Sequence, residues 1–107
     1  MKVYIAGPMT GYEDYNYPAF EAAREQLAAS GLDVLSPTDI DTLQGTVTGS
    51  QTWDWYMRHA LTMVLDADAV ALLDGWERSK GACLERDVAR ALGLQVKPLA
   101  YWIGDKP

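Results

Sequence analysis

Three observations predict an α/β domain whose parallel sheet, of about four or five strands, is covered by helices on both faces. Short β-branched or apolar runs alternate with stretches of helical spacing, in the order β-α-β-α-β-α-β. The run Ala69 to Leu73 (AVALL) carries no polar side chain, as befits a central parallel strand covered on both sides. The chain has 107 residues, 49% hydrophobic and 22% charged, so residues 1-107 read as one domain with right-handed crossovers.

Lys2 to Ala6 (KVYIA) is β-branched and aromatic and stops at Gly7-Pro8, which gives a first strand. Pro18 in a first turn, Phe20, Ala23 and Leu27 at helical spacing, and a Ser30-Gly31 stop define the first helix. Asp33 to Leu35 is a short second strand closed by Ser36-Pro37. From Thr38 to Ser50 the chain is polar and turn-rich, which predicts a long mobile loop. A second helix is expected to start near Ser50 as N-cap, with Trp53, Met57, Ala60, Leu61, Val64 and Leu65 on one stripe. Trp55, Tyr56 and Met63 fall outside that stripe and suggest a subunit contact, a ligand wall or burial under the long loop. After the third strand a third helix runs from about Gly81 to Leu92, Gly93 ends it, and Gln95 to Tyr101 reads as the last strand.

Composition narrows the function. Nine Lys and Arg against fifteen Asp and Glu give a net charge of -6, the wrong sign for gripping a nucleic acid polymer, although a small nucleotide at one local site remains compatible. A single cysteine, Cys83, and a single histidine, His59, offer neither a disulfide nor a histidine-rich or multi-cysteine metal centre, so no metal is expected. Cys83 reads as a small buried residue and His59 as a surface one. The chain opens directly into a strand pattern with no long apolar run, so no membrane span is expected and the cytoplasm is the expected compartment. Small size also favours a homodimer or higher homo-oligomer.

In open parallel sheets ligands lie beyond the carboxyl ends of the strands. Two segments arrive there: Gly7-Pro8-Met9-Thr10-Gly11, and Asp74-Gly75-Trp76-Glu77-Arg78-Ser79-Lys80-Gly81 leading into a helix N-terminus, where phosphate is favoured. Neither is a Walker A or a G-x-G-x-x-G loop, and ordinary turn chemistry accounts for the bare pattern. Glu85 is more specific. On a helix it lines up with Gly81, Val88, Ala89 and Leu92, a carboxylate on an apolar stripe. A salt bridge to Lys97 or Lys2 is one explanation and a functional role the other. The small Gly81 and Ala82 leave a ligand room to approach. Tyr4 is either a core aromatic or a hydroxyl aimed at this site. Ser79 caps the third helix, contacts phosphate, or does both. Asp68 reads as a strand-entry residue, and Asp74 and Glu77 as solvated carboxylates or site groups.

Tyr4-Ile5-Ala6-Gly7-Pro8-Met9-Thr10-Gly11, Tyr17-Pro18-Ala19-Phe20, Trp55-Tyr56-Met57-Arg58, Ala67-Asp68-Ala69-Val70 and Leu73-Asp74-Gly75-Trp76-Glu77-Arg78-Ser79-Lys80-Gly81-Ala82 with Glu85 together resemble the nucleoside 2-deoxyribosyltransferase-like superfamily, and more narrowly its small bacteriophage and prophage branch. The resemblance implies a three-layer flavodoxin-like (Rossmann-like) sheet, a homo-oligomer, no cofactor, and cleavage of the N-glycosidic bond of a 2'-deoxynucleoside or its 5'-monophosphate. It makes Glu85 the nucleophile, Tyr4 its close neighbour, and Gly7 the point where the sugar nears the backbone. It also implies a substrate-binding role for Pro8, Met9, Thr10, Asp74, Gly75, Trp76, Ser79, Lys80 and Gly81. Ser79 stands where the transferases carry an aspartate and where monophosphate N-hydrolases carry a serine against the 5'-phosphate. Thr10 falls where those hydrolases have an arginine, leaving Lys80 or Arg78 to supply the charge. Ala60 falls where the superfamily often has an aspartate on the second helix. The expected function is therefore hydrolysis of a deoxynucleotide, or transfer of its deoxyribosyl group, through Glu85. The alternatives are a non-catalytic protein that binds a nucleotide or nucleotide-derived signal, and an interaction protein exposing Trp55, Tyr56 and Trp76.

Overall fold

A computed structural model describes residues 1–104. Four parallel strands lie in the order β2-β1-β3-β4, formed by β1 (Lys2–Ala6), β2 (Asp33–Leu35), β3 (Ala69–Leu72) and β4 (Gln95–Pro98). The register pairs Tyr4 with Leu35 on one side and with Val70 on the other, so β1 is interior. Period-two alternation then splits the core in two. Val3, Ile5, Ala69 and Ala71 point towards α1 (Tyr17–Ala29), where they meet Phe20, Ala23 and Leu27. Tyr4, Ala6, Val70 and Leu72 point towards α3 (Trp53–Asp66) and α4 (Lys80–Ala91). Strand order reverses between β1 and β3, and the carboxyl ends of those two strands are where such sheets hold ligands.

The segment from Thr38 to Ser50 is not the long loop its composition suggests. Ser36 Oγ accepts from the Thr38 N–H and starts one 3-10 turn over Pro37–Asp39, which runs straight into α2 (Ile40–Gln44). Arg24 Nη2 on α1 donates to both Asp39 carboxylate oxygens at 2.7 and 2.8 Å, and Ile40 is buried in the α3/α4 side of the core. One buried isoleucine and one close charge-assisted pair outweigh a polar composition.

Helix α3 begins at Trp53 rather than near Ser50. The cap is Thr52, whose Oγ1 accepts from the Trp55 N–H. Its buried face is broader than one stripe: Met57, Ala60 and Val64 are buried, Trp55, Tyr56 and Met63 pack half-buried beside them, and Trp53 and Leu65 are exposed. The cause is α2, which lies against α3 and gives the Tyr56 side something to cover. Trp55, Tyr56 and Trp76 are consequently packed against the core and are not exposed docking groups. His59 is likewise half-buried, its ring centroid 4.4 Å from that of Trp55. Leu92, expected on the apolar stripe of α4, is exposed beyond the helix end.

The last strand also differs from expectation, stopping at Pro98 instead of Tyr101. Proline cannot donate to a sheet ladder, and the chain turns at once into α5 (Leu99–Trp102). Leu99 and Trp102 pack on the α1 face, and the Trp102 indole N–H donates to the Val70 carbonyl at 3.0 Å.

Gly7 follows β1 where the chain leaves the sheet. A β-carbon there would come within 2.8 Å of Leu73 Cβ, an atom fixed close to its own backbone. Gly7→Ala is expected to lower stability by about 1–3 kcal/mol in urea denaturation, the range of an overpacked core site. An unchanged midpoint would show that β1 and the end of β3 are not tightly apposed.

Candidate active site

Tyr4 and Glu85 come from elements that the sheet brings face to face. Tyr4 is fully buried on β1 and its ring lies on the α3/α4 side of the sheet. Helix α4 is started by Ser79, whose Oγ accepts from the Ala82 N–H at 3.1 Å. With the start fixed, Ala82, Glu85 and Ala89 form its buried line. The Tyr4 hydroxyl donates to Glu85 Oε2 at 2.6 Å. Tyr4 is thus a core aromatic and a site hydroxyl at once.

No lysine or arginine pairs with Glu85 among the described residues. Lys2 reaches Asp66 at 3.1 Å instead, and Lys97 lies over the Tyr101 ring, so the expected structural salt bridge is absent. Burial with a single neutral donor disfavours the charged form. The Glu85 carboxyl is pushed up to about 8 by desolvation, with the Tyr4 hydrogen bond pulling in the opposite direction. Tyr4 is itself raised well above the usual phenol value, first by burial and then by the neighbouring carboxylate. It therefore remains a proton donor to Glu85 throughout the neutral range.

Glu85 opens onto a cleft of about 680 Å³, a volume that suits a small molecule of nucleotide size. Gly7, Pro8, Met9 and Thr10 from the end of β1 line it, with Ser79, Lys80 and Gly81 from the start of α4. Gly81 makes room for α3: a β-carbon there would stand 3.1 Å from Met57 Sδ. Asp74, Gly75 and Trp76 do not line the cleft. Trp76 packs against the core with Arg86 stacked 5.0 Å from its ring, and Gly75 takes the left-handed conformation that starts the following 3-10 turn. Asp68 accepts from the Lys2 backbone N–H at 2.8 Å at the foot of the sheet, a strand-entry contact remote from the cleft. Cys83 is half-buried, its thiol directed at the Trp76 and Glu77 carbonyls.

Tyr56, for which a ligand wall was one expected role, lines the cleft. Tyr12, Tyr15, Tyr17 and Trp53 supply further aromatic walls, and Asp41 from α2 supplies a second buried carboxylate that no motif marks. The signal for Asp41 was the Ile40-Asp41 pair just after Pro37, an apolar anchor beside an acid inside a polar tract. Ala60 lines the cleft and brings no polar group to it. Arg78 also lines it, and Lys80 Nζ sits 4.3 Å from the Trp53 ring centroid, so two cations flank the start of α4. No three His, Cys, Asp or Glu side chains converge as metal ligands among the described residues, and no helix there is long and apolar enough to cross a membrane.

Residues 1–98 match the sequence profile of a family described as a domain of unknown function, DUF4406. No curated protein matches the chain in sequence. The solved structures similar in fold include two 2-deoxyribosyltransferases. A 2-deoxyribosyltransferase from Bacillus psychrosaccharolyticus superimposes with a TM-score of 0.69 at 20% identity, covering 90% of this chain and 69% of its own. A 2-deoxyribosyltransferase from Leishmania mexicana gives 0.67 at 23% identity, covering 91% of this chain and 62% of its own, so the present chain spans about two thirds of each. Matched over nearly all of its length, and sharing the parallel α/β fold of the 2-deoxyribosyltransferases, the chain belongs to the DUF4406 family.

Proposed function

We propose that this protein cleaves the N-glycosidic bond of a 2'-deoxynucleoside 5'-monophosphate, or transfers its deoxyribosyl group, through a covalent intermediate on Glu85. One observation carries the reading: a buried carboxylate on the wall of a nucleotide-sized cleft, held by the Tyr4 hydroxyl and by no cation among the described residues. The fold shared with two 2-deoxyribosyltransferases agrees with it.

In the first step a Glu85 oxygen forms a bond to the anomeric carbon while the carbon–nitrogen bond to the base breaks, and the base leaves with the electron pair and takes a proton from solvent. Water then attacks the same carbon, the ester to Glu85 breaks, and a proton is released. A second base in place of water gives transfer. Both steps pass through oxocarbenium-like transition states, whose developing positive charge the carboxylate stabilises at close range. A partly apolar cleft strengthens that attraction relative to water. Arg78, Lys80 and the free N–H groups at the start of α4 suit the 5'-phosphate, and the Ser79 hydroxyl, which already accepts from the backbone, retains a hydrogen to donate. Tyr12, Tyr17 and Trp53 offer flat apolar faces to a base.

A second reading rests on the raised Glu85 carboxyl. At neutral pH the empty cleft holds mainly the neutral acid, which suits a protein that binds a nucleotide without turning it over. Calorimetry against a deoxynucleotide panel, followed by chromatography of the same mixtures, separates the two: saturable binding with no free base supports the second, and binding with base release the first.

Glu85→Ala is expected to abolish base release by about three orders of magnitude or more, the scale of losing a covalent nucleophile. Equal release by wild type and variant defeats the mechanism. Because only the ionised carboxylate attacks, kcat/KM is expected to climb as pH rises towards about 8 and then level off. Tyr4→Phe removes the donor that favours ionisation, so it should move that rise to higher pH and slow the reaction roughly tenfold near neutrality. A pH profile identical to wild type would separate Tyr4 from the chemistry.

The same group predicts a stability profile. Its folded value of about 8 lies above the ordinary value of 4.5, so the native state keeps a proton that the unfolded chain releases. This contribution is fully present below about 4.5 and is lost as pH rises to about 8, amounting to a few kcal/mol in order of magnitude. Glu85→Gln, which has no proton to lose, should melt above the wild type at pH 9 and close to it at pH 5. Parallel melting curves at both pH values would mean that Glu85 is ionised as freely in the fold as outside it.

A further inference from the structure

Asp41 is 5% exposed, and no cation pairs with it among the described residues. Its carboxylate is instead filled by neutral donors. The Tyr56 hydroxyl on α3 lies 2.9 Å from each oxygen, the Thr46 hydroxyl donates to one, and the Gly49 N–H donates to the other at 3.2 Å. The Asp41 carbonyl also accepts from the Thr46 N–H at 2.9 Å, and the Tyr56 hydroxyl accepts from the Gln51 N–H at 3.4 Å. Every one of these bonds leads into residues 46–51 or into α3.

That stretch has little else to hold it. Helix α2 ends where Gly45 turns left-handed, none of the side chains from 46 to 51 is buried, and Val47 is 77% exposed. Polar bonds to one buried carboxylate, rather than packing, hold the segment beside the cleft. Across the opening stands Tyr15. Gly49 approaches it so closely that a β-carbon at position 49 would collide with the Tyr15 hydroxyl. Asp14, Tyr15 and Asn16 are all held at positive φ (52, 51 and 63°), a conformation that non-glycine residues rarely adopt, and Asn16 Nδ2 ties the run to the Pro8 carbonyl at 2.9 Å. Gly49, Tyr15, Tyr56 and Asp41 all line the cleft that Glu85 faces.

We propose that Asp41 is a positioning residue that buckles the 46–51 segment onto α3, so that Gly49 meets Tyr15 and closes one side of the cleft over a bound deoxynucleotide. Asp41 touches neither the reacting bond nor Glu85. It acts through Tyr56 and the backbone of the segment, and its loss leaves the chemistry intact while substrate escapes more readily. The inference rests on the nucleotide reading of the cleft, but its first test does not.

Hydrogen exchange of the ligand-free protein reads the buckle directly. Asp41→Ala is expected to speed exchange of the 46–51 amides about tenfold or more while the α4 amides keep their wild-type rates. Tyr56→Phe, which retains the ring, should give the same local pattern to a smaller degree and serves if Asp41→Ala folds poorly. Asp41→Asn, which keeps one acceptor oxygen but turns an NH2 towards either the Thr46 hydroxyl or the Gly49 N–H, should fall between the wild type and Asp41→Ala. With deoxynucleoside monophosphates as probes, Tyr56→Phe is expected to raise KM about tenfold and leave kcat within about threefold. Unchanged exchange at 46–51 in Tyr56→Phe overturns the buckle, and so does a fall in kcat at constant KM. Absence of base release by the wild type would refute the reading of the site, while the exchange experiment would still decide the role of Asp41.

Discussion

A single hydrogen bond joins the two halves of the site. Tyr4 is on the interior strand, paired on both sides, and cannot move without disturbing the sheet. Glu85 is on the helix that Ser79 caps, and its position along the helix is set by that cap. The 2.6 Å contact between them therefore transmits the rigidity of the sheet to a carboxylate that water would otherwise solvate. Burial opposes ionisation of Glu85 and Tyr4 assists it, and burial wins, holding the carboxyl well above its ordinary range at about 8.

Around that bond the cleft is assembled from opposite requirements. Along one side, Gly7 and Gly81 are small because Leu73 and Met57 occupy the space their β-carbons would need. Along the other, the 46–51 segment is held to buried Asp41 and to Tyr56 by hydrogen bonds, with none of its own side chains buried. The cleft thus pairs a close-packed wall that carries Glu85 with a rim segment held by polar bonds to one buried carboxylate.

Much of this was legible in the sequence. The alternation of runs located all four strands and the three long helices, because β-branched strands and amphipathic helices are dictated by local period. Glu85 stands out because a charged residue on an apolar stripe demands a reason, whereas Tyr4 reads from the residues as either a core aromatic or a site hydroxyl, and only the resemblance sets it beside Glu85. The tract from 38 to 50 was not legible, since its order depends on Ile40 finding the core and Asp39 finding Arg24, contacts made across the fold. Burial of Trp55, Tyr56 and Met63 is one of the readings their position allows, but the sequence does not show that a helix, α2, covers the Tyr56 side. The end of β4 is not legible because Leu99-Ala100-Tyr101 carries on an apolar character after Pro98, and only the missing proline N–H marks the stop.

That stop bears on solubility. An edge strand normally offers a row of unpaired backbone groups to any other extended chain. Here the outer strand is only four residues long, its last residue has no hydrogen to give, and the Trp102 indole donates to the Val70 carbonyl and lies 3.3 Å from that of Lys97, acceptors near this edge. A stray strand arriving there would find a short ladder that ends in a proline. The turn that ends the sheet thereby acts as a guard against edge-to-edge aggregation, and a protein with so small a core has reason to carry one.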